Sequence, residues 1–184
     1  LLDGSRGSAG TTTGENLEFV GATLDTGDSR ENGFDVKVTQ IATKAFSEGQ
    51  AALTQEIINA GERLTVIEQG KMATYITNKD DTAATAVQNL RSEAERKGLD
   101  LDISMTDDNR ISISHRTYGA ESSFQISSST AGILSQNGGE IETAQAGTDI
   151  KGTINGESAI GEGQVLTGVK GAACVDGLSI RYYG

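Results

Sequence analysis

The chain has 184 residues, enough for one domain or two small ones. With 35% apolar residues, 4% aromatics and no tryptophan, its core has to be built from aliphatic side chains and alanine. A net charge of −11 argues against non-specific binding to nucleic acid or to an anionic membrane, since both demand a positive surface.

Glycine occurs 24 times and proline never, which suits many short strands and turns and marks no proline-rich linker. The single cysteine, Cys174, excludes an internal disulfide and a cysteine-based metal site. No apolar run approaches the roughly 20 residues that span a bilayer. The chain starts at Leu1 and stops at Gly184 inside a strand-like pattern, so it reads as a segment of a longer protein.

Leu1–Gly10 is glycine-rich and turn-like, and Leu17–Val20 is a short strand candidate. Asp25–Gly33 is a polar loop. Phe34–Ile41 alternates cleanly, with Phe34, Val36 and Val38 on one face of a predicted strand. In Ser47–Gly61, Ser47 and Gln50 fit a capping box, and Leu53, Ile57 and Ala60 fit a helical stripe. The pattern favours a short helix there over an extended connection.

Leu64–Glu68 and Met72–Thr77 are β-type runs that precede the clearest element of the chain. Over Thr82–Lys97, Ala83, Val87, Leu90 and Ala94 recur at helical spacing and make one apolar stripe. Asp80 and Asp81 favour the positive end of the helix, while Arg96 and Lys97 favour the negative end. Asp81 or Thr82 can cap the start, and Gly98 supplies a left-handed residue at the end.

Leu99, Leu101, Ile103 and Met105 alternate with polar residues, as do Ile111 and Ile113. Asp107-Asp108-Asn109 between them is turn chemistry, so Leu99–Thr106 and Arg110–Arg116 are predicted to form a hairpin. Ser123–Ser128 is a further strand. Gly132–Gly147 is polar and glycine-dotted and reads as loop. Asn155-Gly156 is a type I′ hairpin signal, and Gln164–Gly168 and Leu178–Tyr183 are strand candidates. The fold class is therefore α+β: β-rich, with short antiparallel strands and a β-β-α-β-β unit whose single main helix covers a sheet. The domain expectation is a discontinuous base of residues 1–60 and 130–184, with the β-β-α-β-β module at 61–129 inserted.

Few residues suggest chemistry. His115 is the only histidine and lies in phase with Ile111 and Ile113, which indicates a structural role; the chain's many serines and acids do not single out a triad. No His-Glu-x-x-His occurs. Cys174 reads as a small buried hydrophobe, with an exposed cross-linking thiol as the alternative. Asp100, Asp102, Asp107, Asp108 and Asn109 crowd together, yet lack the EF-hand pattern that calcium would favour. Gly161-x-Gly163 is no phosphate cradle, because no helix follows it. Ser127-Ser128-Ser129-Thr130 is either a solvated loop or an acceptor of O-linked glycans. No catalytic, cofactor-binding or metal residue is assigned, and the expected class is not an enzyme.

Several stretches carry a resemblance. Leu1-Leu-Asp-Gly-Ser5 is similar to the close of the N-terminal part of bacterial flagellins. Phe34–Ala42 resembles the strand that opens the variable region of flagellins and filament-capping proteins. Leu64–Ser128 resembles the "IN" module of flagellin and hook proteins. Ile150–Glu157 and Gly163–Gly168 resemble stretches common to flagellins and caps, and Gly177–Arg181 fits the strand leading back to the core. The resemblance implies the surface-exposed outer domain of a bacterial flagellin, a structural protein of motility located extracellularly on the flagellar filament. It implies no cofactor, no nucleic acid and no membrane. The implied partners are other flagellin subunits, contacted through parts outside this segment, which itself would be monomeric. The near relative is the middle region of the filament-capping protein, and a secreted glycan-binding or hydrolytic domain is the alternative of another class.

Overall fold

The computed structural model describes residues 10–29 and 31–184. In chain order the elements are β1 (Leu17–Gly21), β2 (Val36–Gln40), β3 (Lys44–Glu48), α1 (Gln55–Asn59), β4 (Arg63–Glu68), β5 (Lys71–Ile76), α2 (Ala83–Lys97), β6 (Leu101–Met105), β7 (Ile111–Tyr118), β8 (Gln125–Ser128), β9 (Glu142–Thr143), β10 (Lys151–Ile154), β11 (Glu157–Glu162), β12 (Val165–Gly168) and β13 (Ser179–Tyr182). This is a β-rich α+β chain with one main helix. Two compact units divide it. One holds the described residues up to Thr43 with Tyr118–Ala120 and Thr148–Gly184; the other holds Lys44–Thr117 and Glu121–Gly147.

The first unit is one six-stranded antiparallel sheet, ordered β1-β13-β12-β11-β10-β2. Period-two alternation puts Leu17, Phe19, Val36 and Val38 against a core of Ile150, Ile154, Leu166, Val175, Leu178 and Ile180. Asn155 (φ 54°) and Gly156 (φ 76°) both lie in the left-handed region. They form the two-residue connection between β10 and β11, as a type I′ turn requires. Gly161 of β11 is needed for close approach: a Cβ there would lie 1.7 Å from the Ile150 carbonyl oxygen.

The second unit holds a three-stranded sheet, β3-β7-β6, and a four-stranded sheet, β5-β4-β8-β9. α2 buries Ala86, Val87, Leu90 and Ala94 and packs on β5, β4 and β6. The helix therefore covers strands of both sheets rather than of one. The reason is that β8, not the β6–β7 hairpin, takes the place beside β4. Thr82 is the N-cap, with a reciprocal box in which Thr85 N–H donates to Thr82 Oγ1 (3.2 Å) and Thr82 N–H donates to Thr85 Oγ1 (2.7 Å). Gly98 (φ 69°) ends the helix, with Leu99 N–H on the Ala94 carbonyl and Gly98 N–H on that of Glu95, a Schellman pattern.

One expectation changes, and others gain detail. Ser47 is no helix cap: it sits in β3, and Gly49, Gln50 and Ala51 donate to the carbonyls of Ile111 and Gly132. Those cross-chain bonds hold the segment extended, so the helix starts later, capped by Thr54. Residues 132–147 are loop apart from the two-residue β9, which pairs with β8, yet Ile133, Leu134, Ser135 and Ala144 within them are buried. The contact units divide at 43/44 and 147/148, with Tyr118–Ala120 belonging to the first unit. Ala45, Leu53, Ile58, Ile133, Leu134 and Ala144 share one core with Leu64 and Leu90, which draws both flanking segments into the helical unit. Leu1–Ser5, with its flagellin-like motif, lies outside the described residues.

Leu90 is fully buried in that core. Leu90→Ala is expected to cost about 2–5 kcal/mol, and Gly161→Ala about 1–3 kcal/mol through overpacking, both read from urea unfolding midpoints. A midpoint unchanged by Leu90→Ala would refute the packing described for α2.

Candidate functional site

Glu62, the residue just before β4, and Leu64, Val66 and Glu68 within it stand in phase and are all buried. Both glutamates are buried, Glu62 at 2% and Glu68 at 4% exposure. Such burial is tolerated only where hydrogen bonds replace the lost water. Glu62 receives Thr130 N–H (3.0 Å) and the Thr130 hydroxyl (2.5 Å).

Glu68 meets the chain's only histidine. His115, 4% exposed, places Nε2 2.7 Å from Glu68 Oε1, and Asp100 N–H donates to Glu68 Oε2 at 2.6 Å. Thr117 N–H donates to His115 Nδ1 at 2.9 Å. A ring nitrogen that accepts carries no proton, so the network assigns the proton to Nε2, directed at Glu68 Oε1. Every acceptor in the cluster is matched to a donor. Both ring nitrogens are occupied and the ring is buried, so His115 is held in place by the fold with no face open to a substrate.

The other singled-out acids find separate partners. Asp102 Oδ1 accepts from Arg116 Nε (2.9 Å), Asp100 Oδ2 from the Thr117 hydroxyl (3.1 Å), and Asp108 lies 3.5 Å from Arg110. They do not converge: among the described residues no group of three or more His, Cys, Asp or Glu is placed to hold a metal. Cys174 is half-buried against the first unit's core, and Glu157 accepts from its N–H and from that of Ala173 (3.2 and 2.6 Å). The serine run is only partly at the surface. Ser128 is buried and bonded to Ser135 (3.1 Å), while Thr130 is engaged by Glu62.

Glu62 and Glu68 were not singled out in the sequence, and neither were two further features. Asp149 Oδ1 accepts from Gly163 N–H (2.8 Å) and Ala120 N–H (3.1 Å), tying three chain passages of the first unit together. A groove of about 760 Å³ also opens in that unit, floored by Leu17, Phe19, Phe34, Val36, Leu178 and Ile180 and rimmed by polar loop residues. An inward-phase acid such as Glu62 or Glu68 does leave a sequence signal, a charge interrupting one face of an alternating strand. Asp149 leaves none, because its donors lie 29 and 14 residues away.

No protein-family model and no curated protein sequence matches the chain. Solved structures do match. The flagellar cap protein FliD D2-D3 domains from Escherichia coli superimpose with a TM-score of 0.55 at 12% identity, over 95% of this chain and 91% of that one. The same domains from Serratia marcescens give 0.53 at 17% identity, over 82% and 85%. The longer D1-D2-D3 structure from Escherichia coli gives 0.54 at 12% identity, over 94% of this chain and 52% of that one, so this chain spans about half of it. At these identities the likeness is one of fold, and the fold is one seen in flagellar cap protein domains.

Two substitutions test the geometry. In Glu68→Gln, an NH2 group replaces one of the two acceptor oxygens and meets either His115 Nε2–H or Asp100 N–H, donor against donor. The expected loss is about 1–3 kcal/mol in urea unfolding, and an unchanged midpoint would remove the pair from the fold's support. Glu18, across from Arg181 on β1, has its carboxyl held below the usual range, first by the Tyr183 hydroxyl and then by Arg181. Such a group favours the fold above its unfolded-state pKa, and that support is lost as pH falls. Tyr183→Phe should raise the Glu18 pKa in an NMR carboxyl titration, and no change would discount the hydroxyl.

Proposed function

We propose that this chain is the outer, middle-domain region of a flagellar filament-capping protein, acting as a structural element and folding platform rather than as an enzyme. The observation that carries the reading is the fold likeness to cap-protein D2-D3 domains over 95% of this chain and 91% of theirs. A match to a fragment of the fold would account for one unit; this one extends over nearly all of both chains. The β-rich architecture and the resemblance of Phe34–Ala42, Ile150–Glu157 and Gly163–Gly168 to stretches shared by caps and flagellins support the same reading.

In this reading the protein is extracellular, at the flagellar filament, and its partners are other subunits of the flagellar assembly. The chain contributes shape, surface and stability. Its acidic surface limits aggregation beside a repetitive polymer. The domain division we propose is a strand-built base with the helical module inserted into it.

A second reading, the outer domain of flagellin itself, is favoured by one observation, Leu1-Leu-Asp-Gly-Ser5. One experiment separates the two. Antibodies raised against this chain, applied to intact filaments and viewed by electron microscopy, should label the filament tip alone if the protein is a cap. Label along the whole filament would overturn the cap reading in favour of flagellin, and absence of label from flagella would overturn both.

A further inference from the structure

Register and burial assign the two faces of the sheet β5-β4-β8-β9. Leu64, Val66, Ala73, Tyr75 and Ile126 stand in phase and join the core. The helix α2 lies on that side, where Asn89 of the helix donates to the Tyr75 hydroxyl at 2.8 Å. The opposite face presents Met72, Ile67, Ile76 and, just before β9, Ile141, around a neutral centre in which the Thr65 and Thr74 hydroxyls meet at 3.1 Å. Met72 is 51%, Ile76 46% and Ile141 57% exposed.

Charge sets this face apart. The outward residues of the other two sheets include acids, Glu18 and Glu162 on β1 and β11 and Asp102 on β6. No carboxylate points outward here. The acids of these four strands are Glu68, which is buried, and Glu142, which stands in phase with the buried Ile126 and accepts from Gln136 and Asn137 N–H. The one outward charge is Arg63, exposed and opposite Ile76. Arg91, Arg96, Arg110, Arg116 and Arg181 each lie within 3.1 Å of a carboxylate. Among the described arginines, Arg63 is the one with no ion pair.

We propose that this face is a contact surface for a second copy of the chain. Two copies of net charge −11 repel wherever acids meet acids, and an acid-free apolar face is where that repulsion is least. The acid-rich surface of a copy supplies the carboxylate that Arg63 lacks within its own chain. A single cation is too little to hold a polyanion such as nucleic acid. The face measures roughly 20 Å along its strands and about 15 Å across them, about 300 Å2. Stable dimers bury about 800 Å2 on each partner. The contact is therefore weak, and it is populated where copies are held at high local concentration. It needs only this chain and holds under either the cap or the flagellin reading.

The test is dilution of the unaltered chain, labelled at its isoleucine and methionine methyl groups, from about 1 mM to about 20 µM. Methyl NMR shifts at Met72, Ile67, Ile76 and Ile141 should change on dilution, while those of the buried isoleucines stay in place. Sedimentation over the same range should show a dimer fraction that falls. Arg63→Glu and Met72→Asp, both outward changes, set acid against acid and should each weaken self-association about tenfold or more. Their urea midpoints check that they fold, and the dilution result does not depend on either. A chain whose shifts are independent of concentration up to about 1 mM, shifts confined to another surface such as that around Ile160, or a folded Arg63→Glu chain that associates like its parent would overturn the proposal.

Discussion

Side-chain carboxylates bonded to main-chain N–H groups hold this fold's connections in place. Glu62 caps Thr130, Glu68 caps Asp100, Asp149 caps Ala120 and Gly163, and Glu157 caps Ala173 and Cys174. A chain of short strands leaves many N–H groups at turns, outside any ladder, and each must find an acceptor. Proline is absent, so none of those groups is removed covalently. A hydrogen bond to a charged group contributes about 1.5–3 kcal/mol net, comparable to burying one large aliphatic side chain. Part of the acidic excess that composition presents as surface charge is therefore structural, and four of these acids bridge segments far apart in sequence.

That role follows from what the core lacks. The helical unit's core contains one buried aromatic side chain, Phe124, among alanine, valine, leucine and isoleucine. Small side chains bury little area each, so stability has to come from close approach. Alanines 86 and 94 let α2 settle onto strands of two sheets at once, and Leu90 fills the space between. Within this packing, the Glu68–His115 pair is a polar knot tied at every atom. A buried carboxylate with a missing donor is expensive, so each member constrains the placement of the others.

Elements governed by local rules were legible in the sequence. The α2 stripe, its Thr82 and Gly98 caps, the alternation of β6 and β7, and the Asn155-Gly156 turn all follow from contacts within a few residues. What is decided at long range was not legible. Ser47 looked like a cap because the local pattern fits one, but the carbonyls of Ile111 and Gly132 claim the following N–H groups. Residues 132–147 are loop, as their serine, glycine and asparagine suggest. Yet Ser128 and Ser135 satisfy each other, which lets Ile133 and Leu134 enter the core between them. The buried acids fell between these cases. Glu62 and Glu68 stand in phase with the inward Leu64 and Val66 but were not singled out, and their donors are set by tertiary structure alone.

The same division between local and long-range information governs the functional reading. The stretches that resemble flagellar proteins are strands and hairpins, where alternation and turn chemistry restrict the choice of residue. Many sequences satisfy those restrictions, which is why a TM-score of 0.55 coexists with 12% identity. Resemblance at such positions reports architecture. The outward positions of the same strands carry no such restriction. Ile160 on β11, 64% exposed, alternates with the inward Ala159 and Gly161, and Glu18 and Arg181 face outward across β1 and β13. Substitution there leaves both cores and the carboxylate caps intact. A surface built this way can change its chemistry while the aliphatic seams and the carboxylate-capped turns beneath it keep the same fold.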